Sequence, residues 1–115
     1  MWWKRMIKNK LPDSLTKRRL LYERKDTDYV LYGDLFFRHQ HYNDALDFFE
    51  KGHHMEGLLK IKEVALQNGN AYLAERLTKC VPDIMTNPDW EQIFNRATGL
   101  GKGTYAHWAK EKIKT

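Results

Sequence analysis

Apolar residues recur at helical spacing along almost the whole chain, and this spacing constrains the fold more than any other feature. Trp90, Ile93, Phe94 and Ala97, for example, follow one another at i, i+3, i+4 and i+7, which places them on one face of an α-helix. No segment alternates apolar and polar residues between turn signals at both ends, as a half-buried β-strand would. The sequence therefore predicts an all-α fold.

Turn and capping residues divide this pattern into helices. In the first half we expect an amphipathic segment before Pro12, a helix from Asp13 or Ser14 to about Lys25, one that starts after Asp26 or Thr27 and ends before the turn Arg38 to His41, and one from Asn43 to Lys51 that Gly52 ends. In the second half we expect helices over about 54–67, from the turn Asn68 to Asn70 as far as Pro82, from a cap at Asn87 to Gly99, and from a cap at Thr104.

The same periodicity separates a predicted core from a predicted surface. The expected core residues are Leu15, Leu20, Leu21, Tyr22, Ala45, Phe48, Phe49, Met55, Leu58, Leu59, Ile61, Ala65, Leu66, Leu73, Ala74, Leu77, Cys80, Val81, Trp90, Ile93, Phe94, Ala97, Tyr105, Trp108, Ala109 and Ile113. Asp44, Asp47, Glu50 and Lys51 fall on the opposite side of their helix, where we expect solvated charges.

The charges are unevenly distributed along the chain. Residues 1–25 hold nine Lys or Arg against Asp13 and Glu23, residues 26–99 hold seven against twelve Asp or Glu, and residues 100–115 hold four Lys against Glu111. Two basic ends thus flank an acidic middle. Such polarity suits an acidic partner, a phosphate backbone or an anionic lipid surface, it lets the ends of one chain meet the middle of another, or it serves solubility alone.

Length and composition indicate one small globular domain. The 115 residues, 42% of them hydrophobic, are enough for a core of their own. The apolar runs are far shorter than the ~18 residues of a membrane span, no secretory signal pattern begins the chain, and the single Cys80 allows no intrachain disulfide, so we expect a cytoplasmic protein. The predicted parts are a basic amphipathic arm and helix over 1–25, a helical middle over 26–81 and capping helices over 82–115.

The residues that suggest chemistry have simpler structural interpretations. The pairs His39 with His41 and His53 with His54 lie at opposite ends of a helix ~15 Å long, so they cannot share a metal site. Cys80 falls on an apolar stripe, where a buried, inert thiol is expected. Residues 99–104 resemble a phosphate-binding loop only faintly, because the required glycine and hydroxyl positions are not matched. We therefore expect no enzyme activity, no metal, no cofactor and no small-molecule substrate.

Two consecutive helices over about 27–51 resemble a tetratricopeptide repeat. Gly33 and Phe36 stand where the family keeps a small residue and an aromatic in the first helix, Tyr42 opens the second helix, and Ala45 with Phe49 supply its small residue and aromatic. Gly69 and Ala74 repeat the pattern weakly, so the resemblance covers about residues 26–81. It implies a short right-handed stack of antiparallel helix pairs, with the remaining helices as caps at both ends.

The resemblance further implies a non-enzymatic adaptor that binds an extended peptide or a partner helix on the concave side of the stack. The groove residues carried over are Thr27, Val30, Asp34, Phe37 and Arg38, with Leu59 and Glu63 in the second pair. Asp34 and Arg38 can equally form an i, i+4 surface pair, and Phe37 is either buried by the helix of residues 14–25 or exposed as an anchor. A basic partner segment is expected, and the chain's own basic arm could fill the groove or link two copies.

A second hypothesis assigns the basic arm to polyanions, either nucleic acid or an anionic membrane. Aromatic side chains that stack on bases, placed among cations, are typical of single-strand binding. Tryptophans beside a basic face are also typical of membrane-surface helices. The residues concerned are Trp2, Trp3, Lys4, Arg5, Lys8, Lys10, Lys17, Arg18 and Arg19.

Overall fold

A computed structural model of the protein describes residues 11–22 and 27–113, and in these ranges the only regular secondary structure is seven α-helices. They are α1 (Ser14–Tyr22), α2 (Tyr29–Arg38), α3 (Tyr42–Lys51), α4 (Met55–Asn68), α5 (Ala71–Cys80), α6 (Asn87–Gly99) and α7 (Gly103–Lys112). The all-α prediction is confirmed. The amphipathic helix predicted before Pro12 lies outside the described residues, apart from Leu11.

Contacts along the chain group into two compact units, Met1–Gly57 and Leu58–Thr115. The division falls within the first turn of α4. Adjacent helices pack as pairs in each unit, α2 with α3 in the first and α6 with α7 in the second, an arrangement compatible with a helical repeat. The single domain expected from the length stays a prediction.

The first unit is built around the α2–α3 hairpin. Leu35, Phe36, Ala45, Phe48 and Phe49 are buried in its core. Phe36 stacks on Phe48, with ring centroids 5.5 Å apart. These residues account for the position of the hairpin, because each helix turns its aromatic stripe toward the other.

Two glycines of the first unit make room for one ring. A Cβ placed on Gly33 would lie 2.6 Å from Cδ1 of Phe49, and a Cβ placed on Gly57 would lie 2.6 Å from its Cγ. Real side-chain atoms do not approach this closely, so the Phe49 ring occupies the space that both glycines leave free. The small residues of α2 and α4 are therefore packing requirements.

The helix α3 ends before Gly52, as the sequence predicts, but Gly52 does not supply the left-handed residue of the turn. Gly52 has φ −86°, whereas His53 has φ +52°. Gly52 is required for another reason, because a Cβ at this position would lie 2.8 Å from Cβ of Tyr29. The turn before α3 likewise uses a non-glycine residue with positive φ, Gln40 at +63°.

The helix α1 packs against α3 with one side only. The side chain of Asp13 accepts a hydrogen bond of 2.7 Å from the Thr16 amide, which confirms Asp13 as the cap. Leu20 and Leu21 are buried as predicted. Leu15 and Tyr22 were expected in the core, but their residues are 60% and 72% exposed.

The second unit contains most of α4 together with α5, α6 and α7. Its fully buried side chains include Ile61, Leu73, Leu77 and Ile93. Gly69 has φ +61°, and a Cβ on it would lie 2.7 Å from the backbone nitrogen of Ala97. The turn glycine thus serves contact with α6, in addition to the turn that the sequence indicates.

The caps of the last two helices differ from the predicted ones. Thr86, not Asn87, caps α6, and its hydroxyl and the Asp89 carboxylate form a reciprocal capping box. Thr104 lies inside α7, whose N-cap is Lys102 without a side-chain hydrogen bond. Each true boundary is one or two residues earlier than the sequence pattern suggested. Within the described ranges, no helix is long and apolar enough to cross a membrane.

Eight further residues predicted to be buried are exposed or only partly covered, and four of them, Phe94, Tyr105, Trp108 and Ile113, are half-buried. Met55 and Leu59 have about half of their surface exposed on α4. Cys80 and Val81 are half-buried, because α5 ends at Cys80 and the chain turns away there.

Candidate partner-binding surface

The predicted groove residues of α2 form one stripe along the helix. Val30, Asp34, Phe37 and Arg38 are spaced at i, i+4, i+7 and i+8, so they lie on one face, which we call the α2 stripe. Val30, Asp34 and Phe37 are half-buried, and Arg38 is exposed. The stripe therefore presents Phe37 between the opposite charges of Asp34 and Arg38, with Val30 one turn before Asp34.

Phe37 lies at the edge of the hairpin core. Its ring meets Tyr42 edge-on, with centroids 5.4 Å apart and an interplanar angle of 67°. An open cleft lies between α1 and the hairpin, and this cleft is bordered by Phe36 and not by Phe37. Of the two alternatives for Phe37, complete burial under α1 is therefore not found, and part of the ring surface remains accessible.

Thr27, the remaining predicted groove residue of the first unit, has a structural contact. Its hydroxyl donates a hydrogen bond of 2.8 Å to the backbone oxygen of Leu20 at the end of α1. This bond ties the chain before α2 to the last turn of α1.

Leu59 and Glu63 belong to the second unit. Both are exposed and stand one helical turn apart on α4. The sequence predicted them as weaker counterparts of the α2 stripe, and their accessibility is compatible with that role.

The outer face of α3 is only in part the solvated surface that the sequence predicted, because Glu50 and Lys51 are exposed but Asp44 and Asp47 are half-buried. Nζ of Lys17 lies 2.6 Å from Oδ1 of Asp44 and 2.7 Å from Oδ2 of Asp47. All three side chains are largely shielded from solvent. Periodicity places these carboxylates opposite the hairpin core but contains no sign that α1 covers them.

The two carboxylates control the charge of Lys17. Partial burial opposes the charged form, but hydrogen bonds from the ammonium to Asp44 and Asp47 outweigh it and raise the pKa of Lys17. Its ammonium therefore stays charged at neutral pH and is engaged within the chain.

A cleft of about 580 Å³ lies between α1 and the hairpin. We call it the α1–α3 cleft. Its walls combine apolar side chains with the charged groups just described: Leu11, Pro12, Asp13, Ser14, Lys17, Arg18, Leu21, Tyr22, Phe36, His41, Asp44 and Asp47. The packing between α1 and the hairpin is consequently incomplete.

The residues of the polyanion hypothesis have separate fates. Lys17 is engaged by carboxylates, whereas Arg18 and Arg19 are exposed on α1. The others, Trp2, Trp3, Lys4, Arg5, Lys8 and Lys10, lie outside the described residues. The described part of the basic arm therefore offers two accessible arginines.

The second unit contains an aromatic cluster that the sequence analysis did not identify. Trp108 meets Tyr72 and Tyr105 edge-on, with centroids 6.0 and 6.4 Å away. Beside the rings, Nζ of Lys112 lies 2.7 Å from Oε1 of Glu75. Tyr72 and Trp108 are 36 positions apart on different helices, so periodicity within one helix could not reveal their contact.

Lys102, within the glycine-rich residues 99–103, caps the carboxyl end of α4 together with Arg96. Nζ of Lys102 donates to the carbonyl of Asn68 at 2.9 Å, and Nε of Arg96 donates to that of Gln67 at 2.7 Å. These carbonyls lie at the end of α4, where the helix dipole favours cations. Lys102 is thus committed to a structural contact in the loop that faintly resembled a phosphate site.

Histidine and cysteine contacts are also structural. His54 packs against the Phe49 ring at 5.4 Å, and the Cys80 thiol donates to the Arg76 carbonyl at 3.4 Å. His39, His41 and His53 are exposed in turns, as predicted. Residues 11–22 and 27–113 contain no group of three or more His, Cys, Asp or Glu able to hold a metal ion.

Comparison of the chain with family models, with curated proteins and with solved structures finds no match.

Proposed function

We propose that the chain is a non-enzymatic protein-interaction module that binds a peptide or a helix of a partner on the α2 stripe. The observation that supports this most is the position of Phe37. Its ring is anchored edge-on against Tyr42 and keeps accessible surface, since α1 packs beside Phe36 instead. An aromatic group that is held in place yet accessible loses little entropy on binding.

We propose further that α2 and α3 form a tetratricopeptide-like hairpin within a short right-handed stack. The contact of Gly33 with the Phe49 ring and the complete burial of Ala45 support this, because the family uses these positions for close helix crossing. In such a stack the first helix of each pair lines the concave side. The α2 stripe is then the binding face.

The composition of the α2 stripe suits recognition. Phenylalanine and arginine are enriched among residues that dominate binding energy, and charges set the register of a partner. Asp34 favours a partner segment that carries Lys or Arg.

A cytoplasmic location is part of the proposal, because a chain with the single Cys80 has no need of an oxidising compartment.

The test is selection of binding peptides from a displayed random library on the full chain, followed by affinity measurement with purified variants. Phe37→Ala should raise the dissociation constants of the selected peptides about tenfold or more, which corresponds to ~1.4 kcal/mol of binding free energy. Tyr72→Ala, which removes an exposed aromatic ring from the second unit, is the control and should leave affinity unchanged. Equal affinities of the Phe37→Ala variant and the unmodified chain would contradict the proposal.

A further inference from the structure

We propose that the side of α3 carrying Asp44 and Asp47, together with the hairpin surface that α1 covers, is a second binding site, and that its ligand is a basic amphipathic helix of a partner protein. In the isolated chain this site is occupied by α1. The proposal concerns a different face of the hairpin from the α2 stripe. It therefore stands or falls separately.

The charged part of the site is already seen with a ligand group in place. Asp44 and Asp47 are three residues apart on α3, so their carboxylates project from one side and reach a single ammonium. Nζ of Lys17 lies 2.6 and 2.7 Å from them, at charge-assisted hydrogen-bond distance. The site thus recognises a lysine side chain presented by a helix.

The apolar part of the site fixes the spacing that a ligand helix needs. Leu20 and Leu21 follow Lys17 at i+3 and i+4, and both are buried, with Leu21 and Phe36 on the cleft wall. A partner helix with lysine followed by leucines at these two positions would present the same groups. The combination selects a basic amphipathic helix over a merely cationic peptide.

Incomplete packing indicates that α1 is a replaceable occupant. It is nine residues long, below the ~12–15 residues at which helices become stable alone, so its helix depends on this contact. It leaves Leu15 and Tyr22 exposed and about 580 Å³ of open cleft beside it. A longer helix in the place of α1 would bury more apolar surface of the hairpin than α1 does.

Occupation by α1 lowers the apparent affinity for any other helix. A ligand binds only the fraction of molecules in which α1 has left, and the apparent dissociation constant rises by the inverse of that fraction. Because α1 is tethered to the hairpin, its effective concentration is high. Weakening α1 within the chain should therefore strengthen binding of a helix supplied from outside.

The probe is a synthetic peptide of residues 11–22, blocked at both ends and titrated into the full chain by calorimetry. Lys17→Glu in the chain should lower its dissociation constant at least tenfold, since glutamate repels α1 from Asp44 and Asp47. Arg19→Glu makes the same change of charge at an exposed neighbour outside the cleft wall and should have less than a twofold effect. Adding Asp44→Asn and Asp47→Asn to the Lys17→Glu chain should raise the dissociation constant of the peptide tenfold or more.

Two results would overturn the proposal: an unchanged dissociation constant in the Lys17→Glu chain, or unchanged binding after loss of both aspartates. If Lys17→Glu prevents folding, as judged by circular dichroism, the comparison moves to the unmodified chain. There a peptide with Lys17→Met must bind at least tenfold more weakly than the original peptide. A third result would also contradict it: the unmodified chain dimerises with rising concentration, and Lys17→Glu abolishes the dimer. The occupant would then be α1 of a second copy and not a helix of a partner protein.

Discussion

The ring of Phe49 fills the place of the side chain that Gly33 lacks, so the two residues together determine how closely α2 and α3 approach. A Cβ at position 33 would lie 2.6 Å from Cδ1 and 3.1 Å from Cζ of this ring. Phe49 is completely buried and cannot move aside into solvent. The pair therefore specifies the hairpin geometry on which the α2 stripe depends.

Replacing Gly33 should cost stability in spite of the higher helix propensity of alanine. Gly33→Ala forces the Phe49 ring to shift within a filled core, and we expect a loss of ~1–3 kcal/mol in the free energy of unfolding. Gly103→Ala, where a Cβ would meet nothing within 4 Å, should be neutral or slightly stabilising. Urea unfolding followed by circular dichroism measures both, and equal midpoints would refute the contact.

Ala45 should be as sensitive to enlargement as Gly33. It is fully buried in α3, so Ala45→Leu overpacks the crossing and should cost ~1–3 kcal/mol. Glu50→Leu on the exposed side of the same helix should change the free energy of unfolding by less than ~0.5 kcal/mol. Asp47 no longer qualifies as the silent position that periodicity suggests, because it accepts a hydrogen bond from Lys17.

Two threonines at the amino-terminal ends of α6 and α7, Thr86 and Thr104, give a matched test of capping. Thr86→Ala removes the hydroxyl that accepts from the Asp89 amide and should cost ~1 kcal/mol. Thr104→Ala lies inside α7 and is exposed, so it should be neutral or slightly stabilising. The two unfolding midpoints decide the point, and a greater loss at Thr104 would favour the cap predicted from the sequence.

Acid should destabilise the second unit through Asp89. Partial burial would raise the pKa of this carboxyl, but hydrogen bonds from Thr86 and Lys62 outweigh it and lower its pKa below the ordinary value of 3.8. A carboxyl with a lowered pKa stabilises the fold fully above the unfolded-state value and loses this contribution as the pH falls through the folded-state value. Stability should thus decline below about pH 4.

The variant Asp89→Asn isolates this contribution. Unfolding free energies measured from pH 7 to pH 2.5 should fall less steeply for Asp89→Asn than for the unmodified chain. Glu91→Gln, an exposed carboxyl two positions away on α6, is the control and should keep the original slope. Identical acid slopes for all three proteins would exclude Asp89 as the titrating group.

Helix positions were predictable because they follow from local periodicity and from turn residues near each boundary. The turn at Asn68 to Asn70 illustrates this, since Gly69 supplies the positive φ and Asn70 caps α5. Capping itself was less predictable. Thr86 and Asn87 are both good capping residues, and only the reciprocal bond with Asp89 distinguishes them.

The candidate sites were predictable only where one helix carries them. The spacing of Val30, Asp34 and Phe37 defines the α2 stripe from sequence alone. Asp44 and Lys17 form an ion pair across 27 positions of the chain. Tyr72 and Trp108 are in contact across 36 positions. Such contacts depend on how helices pack, which periodicity within each helix does not encode.

The capping of α4 by later residues has a consequence for synthesis on the ribosome. The hairpin of α2 and α3 can close once residue 51 has left the ribosome, because its two helices are neighbours in the chain. The carboxyl end of α4 must wait, since Arg96 and Lys102 follow their acceptors by 29 and 34 residues. The amino-terminal hairpin is therefore complete while the last turn of α4 still exposes its carbonyl groups to water.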